Sequence, residues 1–252
     1  SEKGYQTKKP YLVHGERLSP GEFGIMHGYM QVPELKKVCH QYGVSINEYL
    51  VGVFVWSVYR ECMHGMPSDK PIRVAVPVNL RPYFNSITTK NFFAMVSAEF
   101  HPVKEEYTFE EVLATVQDSL KQQINKENLE RLFSYNVSNE KILVARAAPL
   151  LIKNIAMRVV YTQSALANTS TITNIGNITV DDAYRPYVEM FHSCLAMSKG
   201  QHIKGNICSY GSTLVFSFSY DLADASVQRG FFRKIAEDGV SVEIESNGVN
   251  YE

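Results

Sequence analysis

Several features that would settle the class of this chain quickly are missing from it. The longest uninterrupted apolar stretch, around Leu50 to Val55, falls far short of the ~18 residues that signal a membrane span. The N-terminus, SEKGYQTKKPYL, is polar and lacks the apolar core of a signal peptide, so a cytoplasmic protein is expected. Cysteine is scarce: Cys39, Cys62, Cys194 and Cys208 form no Cys-x-x-Cys pair and have no companion histidine at metal-ligand spacing. That excludes an obvious metal site and points to buried free thiols in a reducing compartment. The formal net charge is −1 and the basic residues look scattered along the chain, which argues against a nucleic-acid partner. Internal repeats and low-complexity linkers are absent as well. So are a Gly-x-Ser-x-Gly elbow, a P-loop and a Gly-x-Gly-x-x-Gly turn after a strand.

What remains is an ordinary globular composition, 45% hydrophobic and 20% charged over 252 residues, enough to bury a sizeable core. Residues 1–31 look irregular, with glycines at 15, 21, 24 and 28, although His27 to Met30 has the makings of a short strand. Pro33 opens a helix that Gly43 ends. Ser45-Ile46-Asn47-Glu48 is a capping box, and the helix behind it, 46–63, is apolar nearly all round. Such a helix is buried on most sides or packs against another unit. Thr108 to Glu111 is a second capping box, ahead of a helix through Leu120 and Ile124. From 140 to 161 a helical pattern is interrupted by Pro149, which predicts a kink or two short helices.

Alternating apolar residues predict strands over 72–78, 92–100, 170–180, 188–198, 202–210 and 213–220, most of them sharing one sheet. Lys199-Gly200 reads as the hairpin turn between two of them. Asp224 is expected to cap a helix through Phe231 and Ile235, and 240–244 has the pattern of a last strand. The fold class is therefore α/β: a mixed, largely antiparallel sheet with helices packed on it, in a single lobe spanning 1–252.

Chemistry is harder to find. Of the seven histidines, His64 sits in a solvated turn with Asp69 five residues on. His192, read as a strand residue between Phe191 and Leu195, is either a core histidine or a site residue. Pro77-Val78-Asn79-Leu80-Arg81-Pro82 ends one strand and Asn91-Phe92-Phe93 opens the next, so Asn79, Arg81 and Asn91 flank a loop suited to walling a small-molecule site. Arg81 has two readings, a structural fork that ties the loop down or a ligand contact. Asn174-Ile175-Gly176-Asn177 puts Asn and Gly mid-strand, marking either a bulge or a strand whose amides border a tunnel.

Taken in order, the capped buried helix, VAVPVNLRP, KNFFAMVSAEF, the second capped helix, NIGN and FSFSYDLADASVQRGFFRKI resemble the C-terminal lobe of chloramphenicol-acetyltransferase-like, CoA-dependent acyltransferases. The alcohol acetyltransferase and condensation-domain branch is the nearest. The resemblance covers roughly Gly28 to Ile244. It implies transfer of an acyl group from CoA or a carrier thioester to an alcohol or amine, with acyl-CoA as a co-substrate and no permanently bound cofactor. It also implies a substrate or CoA tunnel bordered by Asn79, Arg81, Asn91, Asn174 and Asn177. The family's His-His-x-x-x-Asp-Gly signature, whose second histidine is the general base, is absent, as is any His-x-x-x-Asp. That motif belongs to the N-terminal lobe of two-lobe members. The chain begins at Ser1 rather than Met, which fits a piece of a longer protein. The expected partner is then an N-terminal lobe of the same polypeptide, with no catalytic residue in this chain and a tendency to self-associate when isolated. Two rival readings are a non-catalytic binding or scaffold module that keeps the fold, and a small oligomeric acetyltransferase that uses His192.

Overall fold

The computed structural model describes residues 8–85, 87, 92–132 and 149–249. Its strands are β1 (Gly24–Gln31), β2 (Ile72–Asn79), β3 (Phe93–Phe100), β4 (Ser170–Asn177), β5 (Ile203–Tyr210), β6 (Thr213–Tyr220) and β7 (Val242–Ser246). They form one seven-stranded sheet in the order β3-β2-β4-β5-β6-β1-β7. β4 runs parallel to both β2 and β5, and the other neighbours are antiparallel. The mixed, largely antiparallel sheet read from the sequence is the one observed.

Helices α1 (Val32–Tyr42), α2 (Ile46–Ser57), α4 (Phe109–Gln123) and α6 (Ser226–Glu237) accompany it, with a one-turn α3 (Arg81–Phe84) after β2 and a longer α5 (Leu150–Leu166) before β4. Both capping boxes are formed: Ser45 Oγ accepts from Glu48 N and Thr108 Oγ1 from Glu111 N, with each glutamate answering the cap's own N–H. Gly43 ends α1 at φ 67°, a left-handed position that costs glycine nothing. α2 has no polar face because it lies against β2, α4 and α6 together. Tyr49, Leu50, Val51, Val53, Phe54 and Val55 are fully buried there, each contributing on the order of 1.5–3 kcal/mol. The last turn widens into a π-helix over Val58–Cys62. Beneath α6, Phe216 and Phe218 of β6 meet Phe231 at ring distances of 4.3 and 5.0 Å.

Four expectations need correction. The stretch read as irregular ends in an eight-residue strand, β1, whose glycines are clearances rather than breakers. A Cβ at Gly24 would lie 2.2 Å from the Tyr220 ring, and one at Gly28 would lie 2.1 Å from Phe232. Residues 188–198 are not a strand of the sheet. They cross its surface as an extended strap, tied down by side chains: Leu195 N–H donates to Ser219 Oγ (3.1 Å), Lys204 Nζ to Ala196 O (2.8 Å), and Cys208 Sγ to Phe191 O (3.2 Å). The alternation there reflects a chain lying on a sheet. Consequently Lys199-Gly200 closes only a single Ser198–Gln201 bridge, while the true hairpin joins β5 to β6. Finally, Asp224 accepts from the Ser226 N–H and hydroxyl, but the cap position itself is Ala225.

Pro149 precedes α5 directly, so the expected break in the helical pattern falls at the helix start, and 140–148 lies outside the described residues. The free edge of β3 is covered by α4 side chains. Gln123 Oε1 accepts from Ser97 N (2.9 Å), Gln123 Nε2 donates to Ser97 O (2.6 Å), and Ser119 Oγ accepts from Glu99 N (3.1 Å).

Candidate functional site

β2 and β4 pair only at Val74–Ser170 and Ala75–Thr171. Beyond that point β4 follows β5, and its register shifts between Asn174 and Gly176. Gly176 takes φ 85°, and its N–H donates to Asn174 Oδ1 at 2.8 Å. The Asn-Ile-Gly-Asn run is therefore a bulge in β4, just beyond the point where β4 and β2 stop pairing. A cleft of about 380 Å3 opens in the resulting wedge. Open α/β sheets place ligands at this kind of position, at the carboxyl ends of parallel strands where neighbours part.

Asn79, Arg81 and Asn174 line this cleft together. Asn79 Oδ1 accepts from the Arg81 backbone N–H (3.1 Å) and from its guanidinium Nη1 (3.2 Å), so the end of β2 and the start of α3 form one unit. The Asn174 amide also reaches Asn47, at the start of α2, at 3.4 Å. Asn91 lies outside the described residues. Asn177 sits elsewhere, in a separate cleft of about 430 Å3 beside Arg185 and Tyr210. Phe92, Phe93, Met95, Ile175 and Leu195 supply the apolar walls, and Thr171 and Thr173 the polar floor. Sequence reasoning missed these. β2–β3 pairing brings Phe93 opposite Asn79 and Met95 opposite Pro77, which a long loop between strands does not announce. Leu195 reaches the cleft only because the strap crosses the sheet.

Among the described residues, no histidine, carboxylate or cysteine lines the cleft. The four thiols are also poor nucleophiles. Burial pushes Cys39 and Cys62 up to about 12 and raises Cys194 and Cys208 as well. Cys194 is exposed, so the expectation of uniformly buried thiols holds for only part of the set.

His192 belongs to the strap, at another position, bordering a cleft of about 700 Å3. Its Nε2 meets the Tyr29 hydroxyl at 3.1 Å and its ring stacks on His27 at 4.5 Å. Tyr29 in turn donates to Glu245, and burial followed by that hydrogen bond pushes its hydroxyl up to about 12. The phenol thus links His192 to the Glu245 carboxylate. Among the described residues no group of three or more His, Cys, Asp or Glu is placed to hold a metal, and no helix is long and apolar enough to cross a membrane.

No family model and no curated protein sequence matches this chain. Solved structures do. F. sporotrichioides TRI101, in complex with coenzyme A and T-2, superposes with a TM-score of 0.59 at 11% identity, over 94% of this chain and 56% of that one. The wax ester synthase/diacylglycerol acyltransferase of Marinobacter aquaeolei VT8 gives 0.51 at 13% identity, over 92% and 52%. The nonribosomal peptide synthetase FmoA3 gives 0.58 at 16% identity, over 92% and 24%. The chain thus spans about half or less of the length of these structures. Over the part it spans, it has the chloramphenicol-acetyltransferase-like fold of CoA-dependent acyltransferases and condensation domains.

Proposed function

We propose that this chain is the C-terminal, tunnel-forming lobe of an acyltransferase that moves an acyl group from CoA or a carrier thioester to an alcohol or amine. One observation carries the reading: the cleft at the carboxyl ends of β2 and β4 has a binding surface without a base. Asn79, Arg81 and Asn174 offer hydrogen bonds, five apolar side chains offer a wall, and among the described residues no lining group can take a proton from an acceptor. A thioester substrate fits such a surface, with its chain on the apolar wall and its polar groups on the amides. The missing proton acceptor belongs to a second lobe facing the cleft.

α5 supports the same reading. Ile152, Ile155 and Val159 each leave more than half of their surface exposed on one stripe of the helix, an apolar face that a second lobe would cover. The test is made in the full-length protein. Arg81→Ala and Asn174→Ala should each lower the transfer rate at least about tenfold while moving the melting temperature by less than about 4 °C. Unchanged rates in both variants would remove the cleft from the mechanism.

A further inference from the structure

The basic residues that look scattered in the sequence meet at the amino-terminal ends of the parallel strands, the end of the sheet away from the cleft. Lys8, Lys9, His14, Lys70 and Arg73 line a cleft of about 490 Å3 there, floored by Pro10, Leu12 and Leu166. A second cleft of about 400 Å3 shares Leu166 and adds Arg17, Lys199 and His202. β2 separates Arg73 on this surface from Asn79 by about 20 Å, six steps of about 3.3 Å.

The walls are built, not incidental. Arg73, with only 9% of its side chain exposed, donates to Glu99 (2.5 Å), to Ala167 O at the end of α5 (3.0 Å) and to Lys8 O (3.4 Å). Tyr11 N–H donates to Pro71 O (2.8 Å), so the segment carrying Lys8, Lys9 and Leu12 is fixed against β2. The carboxylates at this end are already taken. Asp221 is held by Arg17 and His202, and Glu99 by Arg73 and His101. Among the described residues, no carboxylate lines the first cleft or pairs with Lys8, Lys9, His14, Lys70 or Lys199.

We infer that this end of the sheet is a binding site for a phosphomonoester, with the phosphate held between Lys8, Lys9 and Lys70 and an apolar or ring portion of the ligand resting on Pro10, Leu12 and Leu166. Unpaired ammonium groups around an apolar floor match that chemistry, since a dianion gains from several cations while the floor rewards the remainder of the ligand. The site is independent of the proposed transfer reaction, because it shares no residue with the cleft at Asn79.

Adenosine 5′-monophosphate is the probe, titrated into the isotopically labelled chain at low salt, with adenosine and inorganic phosphate in parallel. Saturable amide shifts should centre on Leu12, Lys70 and Ala167. The dissociation constant should rise about tenfold in Lys9→Glu/Lys70→Glu and again on raising salt from about 20 to about 200 mM. Adenosine should shift nothing, phosphate should bind more weakly than the nucleotide, and Arg81→Ala should bind as the parent does. Should the double reversal disturb the circular dichroism spectrum, Lys9→Gln/Lys70→Gln replaces it, with a rise of about threefold expected. Absence of saturable shifts, shifts centred on Asn79 and Asn174, or affinity indifferent to both pairs of substitutions would each overturn the assignment.

Discussion

Gly28 sets how closely the helical layer approaches the sheet. The Phe232 ring occupies the space where a side chain at position 28 would begin, and Phe232 is itself packed edge-on against Phe231 at 5.2 Å. Gly28→Ala forces those rings apart and should cost about 1–3 kcal/mol in urea unfolding, with an unchanged denaturant slope. A smaller loss would mean that α6 slides easily. At Glu99 the balance is electrostatic. Burial alone would raise its carboxyl, but hydrogen bonds from Arg73 and His101 outweigh that and hold it below the usual carboxylate range. A carboxyl depressed on folding stabilises the chain above its unfolded pKa and loses that contribution as pH falls through the folded one. Glu99→Gln should therefore lose stability at neutral pH and flatten the acid limb of the stability profile below about pH 4.5. An acid limb as steep as that of the parent would reassign it to other carboxylates.

At the scale of elements, legibility followed locality. Ser45 with Glu48, and Thr108 with Glu111, announced their helices because a capping box is complete within four residues. Asn174 and Gly176 announced their bulge because both residues are poor strand formers. The strap could not be distinguished from a strand, because its alternation is imposed by Ser219, Asn206 and Cys208 of β5 and β6, remote in sequence. That same strap carries a pH dependence. Burial, followed by the neighbouring His192, lowers the His27 imidazole from its ordinary 6.5, with Glu245 opposing more weakly and Tyr29 alongside. An imidazole lowered on folding favours the folded state above the unfolded pKa and penalises it as pH falls below that value. Exchange of the Leu195 amide should therefore accelerate beyond the intrinsic trend as pH falls below about 6.5, and His27→Asn should abolish the excess. Excess exchange that persists in His27→Asn would move the sensor elsewhere.

For the whole molecule, most of the sheet was readable from Pro71 onward, whereas the site was readable only in part. Asn79, Arg81 and Asn174 were marked by polar residues interrupting apolar strands. Phe93, Met95 and Leu195 were not, since a cleft wall is made by register between strands and carries no local signal. The exposed face of α5 was also hidden, because an apolar helix reads as buried until its neighbours are known. Ile152, Ile155 and Val159 fall on one stripe of that helix. Isolated chain should therefore self-associate, and Ile155→Glu/Val159→Glu should return it to monomer in sedimentation without lowering its melting temperature by more than about 4 °C. A parent chain that is already monomeric at high concentration would remove the case for a covering lobe.

The central claim, a binding half without its own base, is tested most directly by thiol release from acetyl-CoA in the presence of a panel of alcohols and amines. The measurement compares the 252-residue chain alone with the same chain supplied with the proposed N-terminal lobe. The account predicts background release from the chain alone. It predicts acceptor-dependent release with the proposed lobe, lost when the second histidine of a His-His-x-x-x-Asp-Gly motif in it becomes alanine. Acceptor-dependent turnover by the isolated chain at the rate of the longer protein would contradict it.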